Sequence, residues 1–163
     1  MTLRIFSALL ILHLVLSGCS AKKDETTTVA AATVNEYPDL ILTLANGKTI
    51  STKTLTGHNV IILFQPDCDH CQHEAVDIEQ HLEEFKDYTL YFVSSSPMEQ
   101  ITAFAKNFKL DNKPNVIFAL TTNEGVLTYY GPVPTPSIYV YSQGKLRTSF
   151  NGQTDVENII KAL

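Results

Sequence analysis

Phe64-Gln65-Pro66-Asp67-Cys68-Asp69-His70-Cys71-Gln72-His73-Glu74 is the stretch that decides the fold. Its first residue closes the apolar run Val60-Ile61-Ile62-Leu63-Phe64, whose length and β-branched content read as a buried strand. Apolar residues then fall at Ala75, Val76, Ile78, Leu82 and Phe85, the spacing of a helix running roughly from His70 to Lys86. Two cysteines in a C-x-x-C arrangement therefore stand where a strand ends and a helix begins.

Chemistry follows from that position. The first turn of a helix carries unpaired N–H groups and the positive end of the macrodipole. A thiolate there is stabilised, and cysteines in such turns have pKa values lowered to about 3.5–7.5. Cys68 is the expected nucleophile and Cys71, one turn further in, the partner that closes the disulfide. His70 adds positive charge when protonated, while Asp67 and Asp69 act in the opposite sense.

Other uses of the pair fit less well. A C-x-x-C bridge closes a very short loop and constrains the unfolded chain little. A zinc site needs two more ligands; His73 and His81 are available, but no second cysteine pair follows. A c-type haem site needs His directly after the second cysteine, where this chain has Gln72.

The 163 residues are 44% hydrophobic and 18% charged, the composition of one globular domain with a sizeable core. Net charge is −5, and no basic run is long enough to suggest nucleic acid as a partner. Residues 1–18 read as a secretory signal: Arg4 opens it, and the apolar run Ile5 to Leu16 is too short for a permanent membrane span. Leu16-Ser17-Gly18-Cys19 resembles the lipobox of bacterial lipoproteins, which implies cleavage before Cys19 and a lipid on its thiol. Of the three cysteines, that leaves Cys68 and Cys71 as a pair in an extracytoplasmic compartment of the cell envelope, where disulfides persist. Residues 19–36, rich in Thr, Ala and charged residues, read as a flexible tether, with a helix over Val29–Val34 as the alternative.

The domain is expected over 37–163. Asn46-Gly47 between Leu40–Leu44 and Lys48–Ile50 is a hairpin signal. After the cysteine helix come a strand at Tyr88–Val93, a helix opened by Ser96 as N-cap with Pro97 and Glu99, and a strand at Asn115–Leu120. A short polar stretch to about Tyr130 precedes Gly131-Pro132-Val133-Pro134-Thr135-Pro136. Strands at Ser137–Tyr141 and Leu146–Phe150 flank a Gln143-Gly144 turn, and Thr154 to Glu157 reads as a capping box for the last helix. Alternating strands and helices ending in a hairpin and helix predict an α/β fold, a mixed sheet with helices on both faces.

The order strand, C-x-x-C, helix, X-Pro, hairpin, helix resembles the thioredoxin superfamily. Phe64, Pro66, Cys68, Cys71 and Glu74 match the Phe-x-Pro-x-Cys-x-x-Cys-x-x-Glu pattern of TlpA/ResA-like membrane-anchored oxidoreductases. Sixty-four residues separate Cys71 from Pro136, room for that group's extra helix–strand unit between the cysteine helix and the proline strand. The resemblance implies a cis peptide before Pro136, eight residues ahead of Gly144 and with Pro134 as the alternative, the Thr135 backbone facing the sulfurs and pairing with a substrate strand. Substrate contacts would then come from Thr135, Pro136, Asp69 and His70. Glu74 has two readings: proton transfer to or from Cys71, as the resemblance implies, or a solvated first-turn carboxylate favouring the helix dipole.

Where the chain departs from the pattern, Ile62 replaces the buried acid of thioredoxin, Asp67 the usual aromatic, and Asp69-His70 the usual Gly-Pro. The implied function is extracytoplasmic disulfide exchange with client proteins bearing thiols or disulfides, served by a separate membrane electron donor or acceptor. No cofactor beyond the Cys68–Cys71 disulfide is expected. An AhpC/TSA-like thiol peroxidase is an alternative, weakened because Gln65 stands where peroxiredoxins place Thr. A Sco-like metal-binding lipoprotein is another, although no His follows His81.

Overall fold

The computed structural model describes residues 35–163, so the signal segment, Cys19 and the tether up to residue 34 lie outside the described residues. In chain order the elements are β1 (Ile41–Leu44), β2 (Thr49–Ser51), β3 (His58–Leu63), α1 (Asp69–Gln80), β4 (Thr89–Ser94) and α2 (Met98–Asn107). They continue with β5 (Val116–Leu120), α3 (Asn123–Tyr130), β6 (Ser137–Ser142), β7 (Lys145–Asn151) and α4 (Val156–Ile160). The hairpin expected at Asn46-Gly47 joins β1 to β2, with Gly47 at φ 81°.

All seven strands form one mixed sheet in the order β2-β1-β5-β4-β3-β6-β7. The three strands β3, β4 and β5 are mutually parallel, and β6 runs antiparallel to β3. Because β7 is antiparallel to β6, it points the same way as β3. The ends of β3, β4, β5 and β7 thus reach one edge of the sheet, as does that of β2, and the first four each hand the chain to an α-helix. This is the thioredoxin-like fold, and α2 with β5 is the additional helix–strand unit anticipated from the long separation of Cys71 and Pro136.

Alternation along the strands splits the core in two. Val60, Ile62, Phe64, Leu90, Phe92 and Phe118 face α1, α2 and α4. Ile61, Leu63, Tyr91, Val93, Tyr139 and Tyr141 face the opposite side, covered by Tyr37, Leu40 and α3. Phe64, Phe92, Phe104 and Phe118 form a contiguous aromatic group directly beneath the cysteine turn, with Phe64 edge-on to Phe92 at 5.8 Å and Phe92 stacked on Phe118 at 4.9 Å.

Three local expectations are corrected. The cysteine helix stops at Gln80 rather than reaching Lys86. His81 leaves helical geometry (φ −112°, ψ 23°), its Nδ1 lies 2.9 Å from the Asp77 carbonyl oxygen, and a 3-10 turn at Leu82–Phe85 carries Phe85 into the core instead. Ser96 does not cap α2; Pro97 occupies the cap without a side-chain bond, and the Ser96 hydroxyl donates to Gln65 Oε1 at 2.6 Å. Thr154 does not complete a capping box either: Asp155 is the cap residue, and the Thr154 N–H donates to Glu74 Oε2 at 3.1 Å. In the last two cases a tertiary partner outcompetes the local one.

Phe92→Ala removes a ring that is 1% exposed and braced by two others. It is expected to lower the unfolding free energy by about 3–5 kcal/mol. Val76→Ala, at a position 38% exposed on α1, should stay within about 0.5 kcal/mol. Denaturant unfolding of the reduced protein measures both, and equal losses would refute this account of the core.

Candidate active site

The interior strand β3, paired on both sides, delivers the chain to the site. Phe64 still bonds to the sheet, its N–H donating to Val93 O at 3.0 Å. Gln65 to Asp67 then turn, and the Cys68 N–H donates to Gln65 O at 3.2 Å. Cys68 is the N-cap of α1, in extended geometry (φ −88°, ψ 115°), and its Sγ accepts the N–H of Cys71 at 3.2 Å. Sulfur therefore takes the place that a Ser or Asp oxygen holds at other helix starts.

On its other side the Cys68 thiol donates to the carbonyl oxygen of Thr135 at 3.4 Å. The Thr135–Pro136 peptide is cis, and the Gly152 N–H donates to Pro136 O at 2.8 Å, fixing that loop to the end of β7. Cys68, Cys71, Thr135 and Pro136 are thus brought together from two segments far apart in sequence. The two thiols are free.

The sulfurs differ in environment. Cys68 is half-buried at the protein surface, while Cys71 is 2% exposed. Burial pushes the Cys71 thiol up to about 12, with the neighbouring Cys68 sulfur adding to the effect and the Gln65 backbone and Thr135 side chain opposing it.

Glu74 lies three residues beyond Cys71, on the same buried side of α1, and is 1% exposed. The reading of Glu74 as a solvated first-turn carboxylate is therefore corrected. Its Oε2 accepts the Thr154 N–H, and its Oε1 has no hydrogen-bond partner among the described residues. Burial raises its pKa to about 7, with the charges of Asp77 and Asp155 adding and the Thr154 N–H opposing.

Asp69 and His70 are exposed on the first turn of α1. His70 Nδ1 lies 2.7 Å from Gln153 Oε1, so this side chain rests against the loop after β7. Among the described residues, no three or more His, Cys, Asp and Glu side chains are grouped as metal ligands. No helix among the described residues is long and apolar enough to cross a membrane.

Two features escaped the sequence. Gln65 is a hub: its Oε1 accepts from Ser94 at 3.2 Å and from Ser96, and its Nε2 donates to Ser95 Oγ at 3.1 Å. Ser95 in turn donates to Asn123 Oδ1 at 2.6 Å, so one amide ties the ends of β3 and β4 to the start of α3. The signal was available, since a serine triplet after one parallel strand faces the turn after its neighbour. The second feature, the loop Gly152–Thr154 touching Pro136, His70 and Glu74, had no local signal, because Thr154 lies eighty residues from Glu74.

Residues 34–149 match the AhpC/TSA family. Comparison with curated proteins finds no match. Among solved structures, the chain is similar to a secreted Mycobacterium tuberculosis disulfide oxidoreductase homologous to E. coli DsbE, at 16% identity and TM-score 0.63, over 77% of this chain and 96% of that one. StoA from Bacillus subtilis matches at 14% identity and TM-score 0.58, over 75% and 93%. Arabidopsis thaliana ScoI with copper bound matches at 17% identity and TM-score 0.60, over 76% and 94%. At these identities the likeness is one of fold.

The Glu74 environment has a pH signature. A carboxyl whose folded pKa is raised from 4.5 to about 7 holds its proton in the native state where the unfolded chain releases it. Its contribution to stability is complete below about pH 4.5 and is lost as pH rises through about 7. Glu74→Gln is expected to flatten that decline, by up to about 3 kcal/mol between pH 5 and 8. Parallel declines in wild type and variant, in denaturant melts across that range, would show that Glu74 is not the titrating group.

Proposed function

Because this chain belongs to the AhpC/TSA family and has a thioredoxin-like fold, we propose that it is a thiol–disulfide oxidoreductase working through Cys68 and Cys71. The carrying observation is the 3.4 Å contact between Cys68 Sγ and the Thr135 carbonyl, beside a half-buried sulfur that caps a helix. An extended client segment laid along Thr135 would bring its own sulfur over Cys68.

As a reductant, Cys68 thiolate attacks one sulfur of a client disulfide. A mixed disulfide forms and the other client sulfur leaves as a thiolate. Cys71 then gives its proton to a base, attacks Cys68 Sγ, and releases the second client sulfur, which takes up a proton. Two electrons pass to the client and the Cys68–Cys71 bond forms. Run backwards, with a client dithiol as donor, the same steps oxidise it. Glu74 is assigned as the base: with a pKa near 7, it can accept a proton at neutral pH and return it. Burial holds Cys71 protonated until it is needed, so this transfer governs the second step.

Peroxide consumption has less support, since Gln65 occupies the place of the peroxiredoxin Thr and spends its amide on three serines. We further propose an extracytoplasmic domain held to a membrane by lipid on Cys19, on the strength of Leu16-Ser17-Gly18-Cys19. Clients would be proteins bearing thiols or disulfides, and a membrane dithiol or disulfide protein would reset the pair.

With a peptide disulfide as substrate, Cys68→Ser should abolish exchange and Cys71→Ser should accumulate the mixed disulfide, visible as added mass. Glu74→Gln should slow release from that intermediate on the order of a hundredfold while sparing its formation. Undiminished turnover by Cys68→Ser would end this reading.

A further inference from the structure

Between α2 and the turn that leads into α1 lies an open groove of about 450 Å³ that the exchange chemistry does not use; Asp67, the chain neighbour of Cys68, lines it. Phe104 and Phe108, tilted against each other at 4.5 Å, line it together with Ala103 and Pro66. Asp67, Gln72, Gln100 and Asn107 supply its polar rim.

The rim is equipped to accept hydrogen bonds. The Gln72 amide nitrogen donates to Pro66 O at 3.1 Å, which leaves its side-chain oxygen turned to other partners. Among the described residues, the side chains of Asp67, Gln100 and Asn107 make no hydrogen bond or ion pair. A carboxylate and amide oxygens over aromatic rings suit an alkyl stem ending in a cation.

The surroundings are acidic at the Asp67 end of the groove, whereas Lys106 and Lys109 flank Asn107 and Phe108 at the other end. Each of the four α-helices begins at the edge where β3, β4, β5 and β7 end, and each carries an acid in its first turn: Asp69, Glu99, Glu124 and Glu157. Asp67 and Asp155 add to them, and all six are exposed. At the opposite edge, Lys86, Lys109, Lys113, Lys145 and Arg147 stand before strands or at their starts, interspersed with Glu83, Glu84, Asp87 and Asp111. Lys53 follows β2, the outermost strand on the far flank. His70 and His73 are the imidazoles nearest the groove in sequence.

We propose that this groove receives a lysine or arginine side chain flanking the reactive cysteine of the client, with its stem on Phe104 and Phe108 and its charge on Asp67. The clients are therefore basic around the sulfur that Cys68 attacks. This rests on the disulfide-exchange reading and specifies its substrate.

Three synthetic peptides settle it. Each carries one cysteine as a mixed disulfide with mercaptoethanol, and they differ only in having Lys, Gln or Glu beside that cysteine. Exchange rates with the reduced protein are measured at about pH 8, above the usual imidazole range. Hydroxyethyl disulfide, which carries no cation for the groove, normalises for intrinsic sulfur reactivity.

The Lys peptide should react at least about threefold faster than the Gln peptide at low salt, and the Glu peptide slower still. The preference should shrink toward unity by about 0.5 M salt. After normalisation, Asp67→Asn should remove most of the Lys-over-Gln preference, and Gln100→Leu with Asn107→Leu, farther from the sulfur, should reduce it. Equal rates for the three peptides, alongside normal exchange with hydroxyethyl disulfide, overturn the groove assignment and leave disulfide exchange standing. A preference untouched by all three substitutions also overturns the groove assignment. Failure to exchange with hydroxyethyl disulfide and with every peptide overturns both.

Discussion

One hydrogen bond that the chain makes to its own sulfur fixes the geometry of the reactive edge: the Cys71 N–H donates to Cys68 Sγ at 3.2 Å. It satisfies an otherwise orphaned amide at the start of α1 and points the sulfur along the axis of the positive helix end. For a cysteine to cap a helix, the preceding residues must leave the sheet and turn within a few positions. A strand held on both sides by β4 and β6 makes that departure point rigid. The aromatic group of Phe64, Phe92, Phe104 and Phe118 then supports the turn from below, so the sulfur's position is inherited from close packing.

From that geometry the two thiols acquire unequal chemistry. The same helical turn that leaves Cys68 half-buried carries Cys71 inward, and Glu74 follows it on the same face. Burial then acts alike on both groups, disfavouring their anions and lifting both pKa values. A buried acid with one oxygen unpartnered is costly to keep ionised, and that cost brings its pKa near neutrality. The apolar environment that would make a free thiolate of Cys71 expensive thus also gives the neighbouring Glu74 a carboxyl that exchanges its proton near neutral pH.

The sequence was most informative where one segment determines its own environment. Five apolar residues followed by a C-x-x-C and a helical period specify a strand–turn–helix almost by themselves, and Asn46-Gly47 specifies a hairpin. The local rules failed where a distant partner competed. Ser96 had the residue type for a cap, but Gln65 from the neighbouring loop offered its amide oxygen instead. Thr154 had the pattern of a capping box, but a buried carboxylate drew its N–H away. The burial of Glu74 was invisible for the same reason, because it depends on a loop that arrives eighty residues later. Pattern reading handles near neighbours well; sheet order decides the rest.

Sheet order also explains why charge gathers where the sulfurs are. Parallel β3, β4 and β5, with β7 turned the same way, bring four helix starts to one edge. Each start favours an acid in its first turn, by about 0.3–1 kcal/mol. Asp69, Glu99, Glu124 and Glu157 can thus be present for helix stability alone. Asp67 shares that helix-end field but is placed differently. It precedes the cap residue, makes no hydrogen bond to the helix, and sets a negative charge beside a sulfur that reacts as an anion. It also lines the groove, together with Phe104, Phe108 and the amides of Gln72, Gln100 and Asn107. There its charge opposes the intrinsic chemistry slightly and favours a cationic client, so specificity is drawn from the same electrostatics that the fold had already concentrated at this edge.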